Sequence, residues 1–291
     1  MFKHLPILCA AMLALAACSH DNAGAPEAVT PAATATTAAP ATPATAAPAA
    51  AGTATTAPAA SSAPAAGNST TADAPTPAPA AAPFVDTGKW VEGKNYFLID
   101  PPQPTSHPGK IEVTEVFSYV CPACNQFHTT VDRIAQSLPA GAVMNYVAAS
   151  FRPDENWPVY QRAFYAAQAL GLVEKTHDAM FDAAWKTGEM ATYDLQSGKP
   201  KPRAAWPTIE DAAKFYAKFG ADPKEFIAVA NSFTVNTQMK RADDLIKAYG
   251  VDGTPTMIVN GKYRYGPSSA GGYTQALELT QWLLAKEAAG K

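Results

Sequence analysis

An excess of basic charge is the first feature that this sequence lacks. From Phe84 to the C-terminus it holds 21 Lys and Arg against 22 Asp and Glu, with no stripe of basic residues. A nucleic acid or another polyelectrolyte would need a concentrated basic surface on its partner. The near balance of charge therefore argues against nucleic acid as a partner.

Large apolar side chains are missing from residues 19–83. This stretch has no aromatic residue, no Leu or Ile and a single Val, and it carries eleven prolines. Such a composition does not offset the entropy that ordering would cost, and the prolines would break any helix that the alanines favour. We predict a disordered linker over residues 18–83, with a reach of roughly 45 Å as a coil and ~200 Å when extended.

The apolar stretch near the N-terminus, Leu5 to Ala17, is also short. It falls below the ~18 residues that a membrane-spanning helix needs, so it is typical of an export signal over residues 1–17. It ends in LAAC, which resembles the signal of bacterial lipoproteins and implies that Cys18 becomes the lipid-bearing first residue of the mature protein. The alternative is an ordinary cleaved signal followed by a chance cysteine. Export predicts a compartment in which disulfides persist.

Hydrophobic periodicity gives the order of the elements in the rest of the chain. A strand is predicted over residues 111–117, a helix follows, and another strand runs over residues 143–149. Amphipathic helices with clear stop signals come next. Strand signals return in TPTMIVNGKYRY, where Asn260-Gly261 predicts a type I′ turn, and a helix closes the chain.

This order predicts an α/β fold in which a helical insertion interrupts a mixed sheet with helices on both faces. We divide the folded part into residues 84–153, 154–240 and 241–291. The first and the last segments would form one domain, and the middle segment would be the inserted helical domain.

Cysteine is scarce, with four in 291 residues. Cys9 lies in the predicted signal and Cys18 is the predicted lipid attachment, which leaves Cys121 and Cys124 as an isolated pair. A structural zinc site would need two more ligands, and only His128 is near; haem attachment would need a histidine directly after the second cysteine. A structural disulfide would close too small a loop to remove much unfolded-state entropy. A redox-active dithiol fits best, with no metal and no cofactor.

The predicted helix gives the pair its chemistry. Cys121 stands just before the helix, where unpaired N–H groups and the helix dipole favour a thiolate. Pro122 fits the first helical position, because its missing N–H costs nothing there. Stabilising the thiolate stabilises the reduced state, so the disulfide becomes a stronger oxidant. Cys124, one turn further along, is predicted to be more buried and to act as the resolving thiol.

The stretches FSYVCPAC and GTPTMIVNGKY, separated by the helical block, resemble the DsbA family of periplasmic thiol:disulfide interchange proteins in the thioredoxin superfamily. The resemblance covers about residues 90–288 and implies a thioredoxin-like fold with an inserted α-helical domain. It implies that Cys121 is the nucleophile and that Pro255 is a cis-proline facing the pair, with Thr254 beside it. Glu115 matches the family's buried acid, a proton acceptor for the second cysteine; an ordinary exposed or salt-bridged glutamate is the alternative.

Two features depart from the family. Ala123 stands where many members carry His, so we expect a less stabilised thiolate and a weaker oxidant. His128 lies one turn beyond the pair, where it would either partly substitute or simply pack. The loop 189–207 looks longer than the family's usual connection.

Together these features predict an enzyme: a lipid-tethered thiol:disulfide oxidoreductase of the bacterial periplasm that donates disulfides to exported polypeptides with free thiols. The resemblance implies reoxidation by a DsbB-like, quinone-linked membrane oxidase. The lipid anchor would lie in the inner or the outer membrane. A reductase or isomerase with the same fold is the first alternative, and a non-enzymatic peptide-binding chaperone is the second.

Overall fold

A mixed sheet of five strands is the centre of the fold in the computed structural model, which describes residues 84–291. The strands are β1 (Phe97–Leu98), β2 (Ile111–Phe117), β3 (Ala142–Ala148), β4 (Thr256–Val259) and β5 (Tyr263–Tyr265). Their order across the sheet is β1-β5-β4-β2-β3, with β2 and β3 parallel and the other pairs antiparallel. The predicted signal, the lipid attachment at Cys18 and the linker lie outside the described residues.

The helices of residues 84–291 fall into two groups. Helix α1 (Pro122–Gln136) connects β2 to β3, and α7 (Pro267–Ala270) and α8 (Tyr273–Ala288) follow β5. Between β3 and β4 lie α2 (Trp157–Ala169), α3 (Val173–Trp185), α4 (Ile209–Ala217), α5 (Pro223–Ala230) and α6 (Phe233–Ala248). The predicted division between residues 240 and 241 falls within α6, and the division of the chain into three segments stays a prediction. No helix in residues 84–291 has both the length and the apolarity to cross a bilayer.

Both faces of the sheet are covered, which explains the burial of β2. Helices α1 and α8 pack on one face through an apolar cluster that includes Phe127, Leu283 and Val113. Val116 belongs to a second cluster, formed with the helices between β3 and β4 and including Phe164 of α2. A central strand with helices on both sides buries alternate residues on each face. Every residue of β2 after Ile111 is accordingly buried.

The turn between β4 and β5 confirms the prediction made from Asn260-Gly261. Both residues have positive φ angles, 52° and 65°, as a type I′ turn requires. A β-carbon on Gly261 would lie 2.0 Å from the carbonyl oxygen of Gln103, so only glycine fits this position. The turn joins β4 to β5. Strand β4 begins directly after Pro255 and pairs with β2 on one side and β5 on the other, which holds it in the centre of the sheet.

Candidate active site

The cysteine pair stands at the N-terminus of α1, where the sequence predicts it. Cys121 is the N-cap residue, with φ −81° and ψ 118°, and Pro122 is the first helical residue. Phe127, Val131 and Ile134 are fully buried along one side of α1 and hold the helix on the sheet. The first turn, with its unpaired N–H groups, is therefore fixed in place beside the cysteine sulfur.

Both cysteines are free thiols, and they contact each other directly. Cys121 is 5% exposed and Cys124 is fully buried, so the predicted difference in exposure is confirmed. The Sγ atom of Cys121 accepts a hydrogen bond of 3.4 Å from the backbone N–H of Cys124. The Cys124 thiol is also placed to donate to this sulfur. Both contacts favour a negative charge on Cys121.

The two thiols differ sharply in acidity. The hydrogen bond from the Cys124 thiol lowers the pKa of Cys121 to about 6, and the Thr254 hydroxyl and the N–H groups of Cys124 and Ala123 add to this effect, while burial opposes it. Burial raises the pKa of Cys124 well above its ordinary value, and the neighbouring Cys121 and Glu115 raise it further. At neutral pH, Cys121 is therefore a thiolate and Cys124 remains a thiol.

The loop before β4 brings Thr254 and Pro255 against the pair, across 133 positions of sequence. The Thr254 carbonyl oxygen lies 3.5 Å from Cys121 Sγ and accepts a hydrogen bond from the protonated thiol. The Thr254-Pro255 peptide bond is cis, and Pro255 is buried. Within residues 84–291 the Thr254 hydroxyl makes no hydrogen bond of normal geometry. As a weaker polar contact it still lowers the pKa of Cys121.

Glu115 is a completely buried carboxyl group near the pair. It is 0% exposed, it is paired in the sheet with Tyr146 and Met257, and neither of its oxygens has a hydrogen-bond partner in the described residues. Burial raises its pKa well above the ordinary value, and the negative charges of Cys121 and Asp132 add to the rise. Burial therefore favours the protonated, neutral form of this carboxyl group.

Comparison with known proteins agrees with this geometry. A family model described as Thioredoxin matches residues 108–278. The thiol:disulfide interchange protein DsbA of Pseudomonas aeruginosa is 36% identical over 200 residues, which are 69% of this chain and 87% of that relative. The DsbA of Azotobacter vinelandii is 35% identical over 195 residues, 67% of this chain and 83% of that relative. This chain belongs to the DsbA family.

Solved structures extend the similarity to the whole described fold. The crystal structure of Pseudomonas aeruginosa DsbA covers 70% of this chain and 97% of its own, with a TM-score of 0.59 at 35% identity. The crystal structure of the oxidoreductase DsbA from Xylella fastidiosa covers 68% of this chain and 98% of its own, with a TM-score of 0.60 at 29% identity. The predicted thioredoxin-like fold with inserted helices is confirmed.

The loop 189–207, which looked long for a DsbA-family member, places an aromatic side chain against Trp185, which contacts the segment that leads to the pair. Tyr193 stacks on Trp185 of α3 with ring centroids 5.7 Å apart, and Trp185 Nε1 donates to the carbonyl of Tyr119, two residues before Cys121. Burial and a hydrogen bond to a glutamate raise the pKa of Tyr193 to about 12, and the charge of Cys121 contributes. The sequence analysis missed Tyr193; an aromatic in an otherwise polar loop is the signal that could have revealed it.

His128 does not take the place of the histidine that many DsbA-family members carry at position 123. Its ring packs on Phe181 of α3 with centroids 4.3 Å apart, and Nε2 lies 3.2 Å from a carboxylate oxygen of Asp178. Among the described residues it makes no hydrogen bond to Cys121. The stabilisation of the thiolate comes from Cys124, Thr254 and the backbone instead.

Proposed function

We propose that this chain is a thiol:disulfide oxidoreductase that donates disulfides to exported polypeptides, with Cys121 and Cys124 as its redox pair. The observation that carries the proposal is the separation of the two pKa values, lowered to about 6 at Cys121 and raised at Cys124. A low pKa makes one sulfur the reactive, readily released thiolate, and a high pKa keeps the other protonated. Membership of the DsbA family supports the same chemistry.

In the oxidised enzyme the two sulfurs form a disulfide. A substrate thiolate attacks Cys121 Sγ, the bond between the two enzyme sulfurs breaks, and Cys124 leaves with the electron pair and takes up a proton. A second substrate thiolate then attacks the substrate sulfur of the mixed disulfide, and Cys121 leaves as a thiolate. Two substrate thiols become one disulfide, and two electrons pass to the enzyme, which ends as a dithiol.

Glu115 is suited to the proton that this sequence requires. The departing Cys124 sulfur has a raised pKa, so it takes up a proton, and burial favours the protonated form of Glu115, which lies close enough to affect the pKa of Cys124. We assign Glu115 the relay of this proton between solvent and Cys124, toward Cys124 when its sulfur leaves the disulfide and away from it when the pair is reoxidised. Thr254 and Pro255 form the wall beside Cys121, and the Thr254 hydroxyl would influence release of the mixed disulfide.

The reduction potential of the pair tests the proposal. The full-length chain carrying Cys9→Ser and Cys18→Ser retains only the redox pair, which is equilibrated with glutathione. We expect a potential above the roughly −270 mV of thioredoxin, and catalysed oxidation of a reduced, unfolded protein that is lost in Cys121→Ser. A thioredoxin-like potential would instead support a reductase that a membrane donor keeps reduced, a reading that Ala123 favours.

We also propose that the enzyme works in the periplasm on a lipid tether. The support is the LAAC sequence ending at Cys18 and the linker composition of residues 19–83. The lipid would hold the enzyme at the inner or the outer membrane, where a DsbB-like quinone-linked oxidase regenerates the disulfide. Cys18→Ser should move the protein from the membrane fraction to the soluble periplasmic fraction; an unchanged membrane fraction would contradict lipidation.

The length of the linker gives a separate test of the tether. If the linker supplies the reach to the oxidase, shortening residues 19–83 to about ten residues should leave Cys121 and Cys124 reduced in cells. Trapping the thiols with a maleimide reports their state directly. A pair that stays oxidised would show that reach is not what the linker provides.

A further inference from the structure

Three potential metal ligands converge where α1 faces α3, apart from the redox pair. His128 and Asp132 lie one turn apart on α1, and Asp178 lies on α3. One ligand atom from each residue lies within 4.8 Å of the other two. His128 Nε2 is 3.2 Å from Asp178 Oδ1 and 3.9 Å from Asp132 Oδ2.

These contacts do not satisfy the histidine as a hydrogen-bonded group. Both ring nitrogens of His128 are buried, and neither makes a hydrogen bond of normal geometry in the described residues, although Asp178 Oδ1 is only 3.2 Å away. A buried polar atom without a partner costs free energy and calls for an explanation. The distance between His128 Nε2 and Asp178 Oδ1 is short enough for a hydrogen bond, but the N–H of the ring does not point at the carboxylate oxygen.

A divalent ion between the three atoms would give His128 Nε2 the partner that it lacks. Zinc bonds to histidine nitrogen and carboxylate oxygen are about 2.0–2.2 Å long, so a tetrahedral ion separates its ligand atoms by roughly 3.3–3.5 Å. The separations of 3.2 Å and 3.9 Å lie on either side of that value. Two carboxylates balance the charge of the ion. Asp178 is 78% exposed, which leaves the site open to solvent for entry of the ion and for a water ligand.

We propose that His128, Asp132 and Asp178 bind a divalent transition-metal ion, with Zn²⁺ as the best match to one imidazole and two carboxylates. The ion joins α1, the helix that carries the redox pair, to α3 of the inserted helices. Its role is to hold these two helices together one turn beyond Cys124. The site is separate from the thiol chemistry and does not depend on the proposed function.

Zinc binding by matched aspartate variants tests the site. The protein is the full-length chain with Cys9→Ser and Cys18→Ser and with the redox pair oxidised, so that no thiol binds the ion. Asp178→Asn removes a ligand, and Asp182→Asn is the control, because Asp182 lies on the same helix and pairs with Lys186 instead. Calorimetric titration with Zn²⁺ should give one site in the parent and in Asp182→Asn, and at least tenfold weaker binding in Asp178→Asn.

Two further measurements separate the metal site from a simple ion pair. Asp132→Asn should weaken binding as Asp178→Asn does, and Zn²⁺ should raise the unfolding temperature of the parent and of Asp182→Asn but of neither ligand variant. Co²⁺ should give visible d–d absorption without a thiolate band. If the parent binds no Zn²⁺, or if either ligand variant binds it as tightly as the parent, the three residues form only an ion-pair cluster and the proposal is wrong.

Discussion

Replacing Cys124 by Ala should raise the pKa of Cys121, whereas replacing it by Ser should change that pKa much less. The Cys124 thiol is the largest single cause of the low pKa of Cys121. Alanine removes this donor, and serine keeps an O–H group in its place. The backbone N–H of residue 124, which donates to the sulfur at 3.4 Å, is present in both variants.

The size of the change follows from the strength of a hydrogen bond to a charged acceptor, about 1.5–3 kcal/mol. One pKa unit corresponds to about 1.4 kcal/mol, so loss of the donor should raise the pKa of Cys121 by about 1–2 units. Starting from a pKa of about 6, the alanine variant should titrate between about pH 7 and 8. At pH 7 the thiolate share would fall from ~90% to between ~10% and ~50%.

The pKa is measured in the Cys9→Ser, Cys18→Ser background from the ultraviolet absorbance of the thiolate as a function of pH. The midpoint of the pH–rate profile for alkylation gives a second value. The rate at a single pH is a poor readout, because a thiolate of higher pKa is also more nucleophilic. An alanine variant that still titrates near pH 6 would refute the reasoning, since the helix N-terminus alone would then account for the acidity. A serine variant shifted as far as the alanine variant would refute it too.

Two buried titratable groups should give opposite dependences of stability on pH, both measured by urea unfolding of the oxidised protein. Burial raises the pKa of Glu115 in the native state. As pH rises above the unfolded-state pKa of about 4.3, the free energy of unfolding of wild type should therefore fall by up to about 1.4 kcal/mol per pH unit relative to that of Glu115→Gln. A gain for that variant that is equal at pH 4 and pH 7 would contradict this. Burial lowers the pKa of His177 to about 3, so between pH 6.5 and 3 stability should fall with falling pH, by about 2 kcal/mol at pH 5, and His177→Gln should lack this loss. Parallel stability curves for wild type and His177→Gln would contradict it.

The elements that position the pair could be predicted because their signals are local. Strand β2 occupies the predicted residues 111–117, and α1 begins at Pro122, directly after Cys121. Alternation of apolar residues and a proline at the first helical position depend only on neighbouring sequence. Thr208 caps α4 with its side chain, and an N-cap threonine is likewise a local signal.

Burial on the face of the sheet that the helices between β3 and β4 cover could not be predicted in this way. Glu112 is buried, and its Oε2 atom accepts hydrogen bonds from the backbone N–H of Ser106 and from His107. Its Oε1 atom accepts from Thr114 and Asn145. A glutamate beside alternating apolar residues normally faces solvent, and only donors brought together by the folded chain make its burial tolerable.

The same distinction divides the residues around the redox pair. Cys121 and Cys124 lie three positions apart at the start of one helix, so the local sequence was enough to predict their chemistry. Thr254 and Pro255 were placed by resemblance to the family, because Thr254 lies 133 positions after Cys121 in the sequence. Tyr193 lies in a loop between inserted helices, and the sequence of that loop does not specify that its ring stacks on Trp185.

The low pKa of Cys121 explains only part of a strongly oxidising potential. Lowering a thiol pKa from 9.0 to about 6 stabilises the dithiol at pH 7 by only about 1.4 kcal/mol. The reason is that ionisation contributes only over the pH unit between the lowered pKa and pH 7. For a two-electron couple this corresponds to about 30 mV. A potential raised further must come from contacts that disfavour the disulfide itself. The pKa of Cys121 in the wild-type dithiol gives the thiolate contribution, so measuring it together with the wild-type potential separates the two contributions.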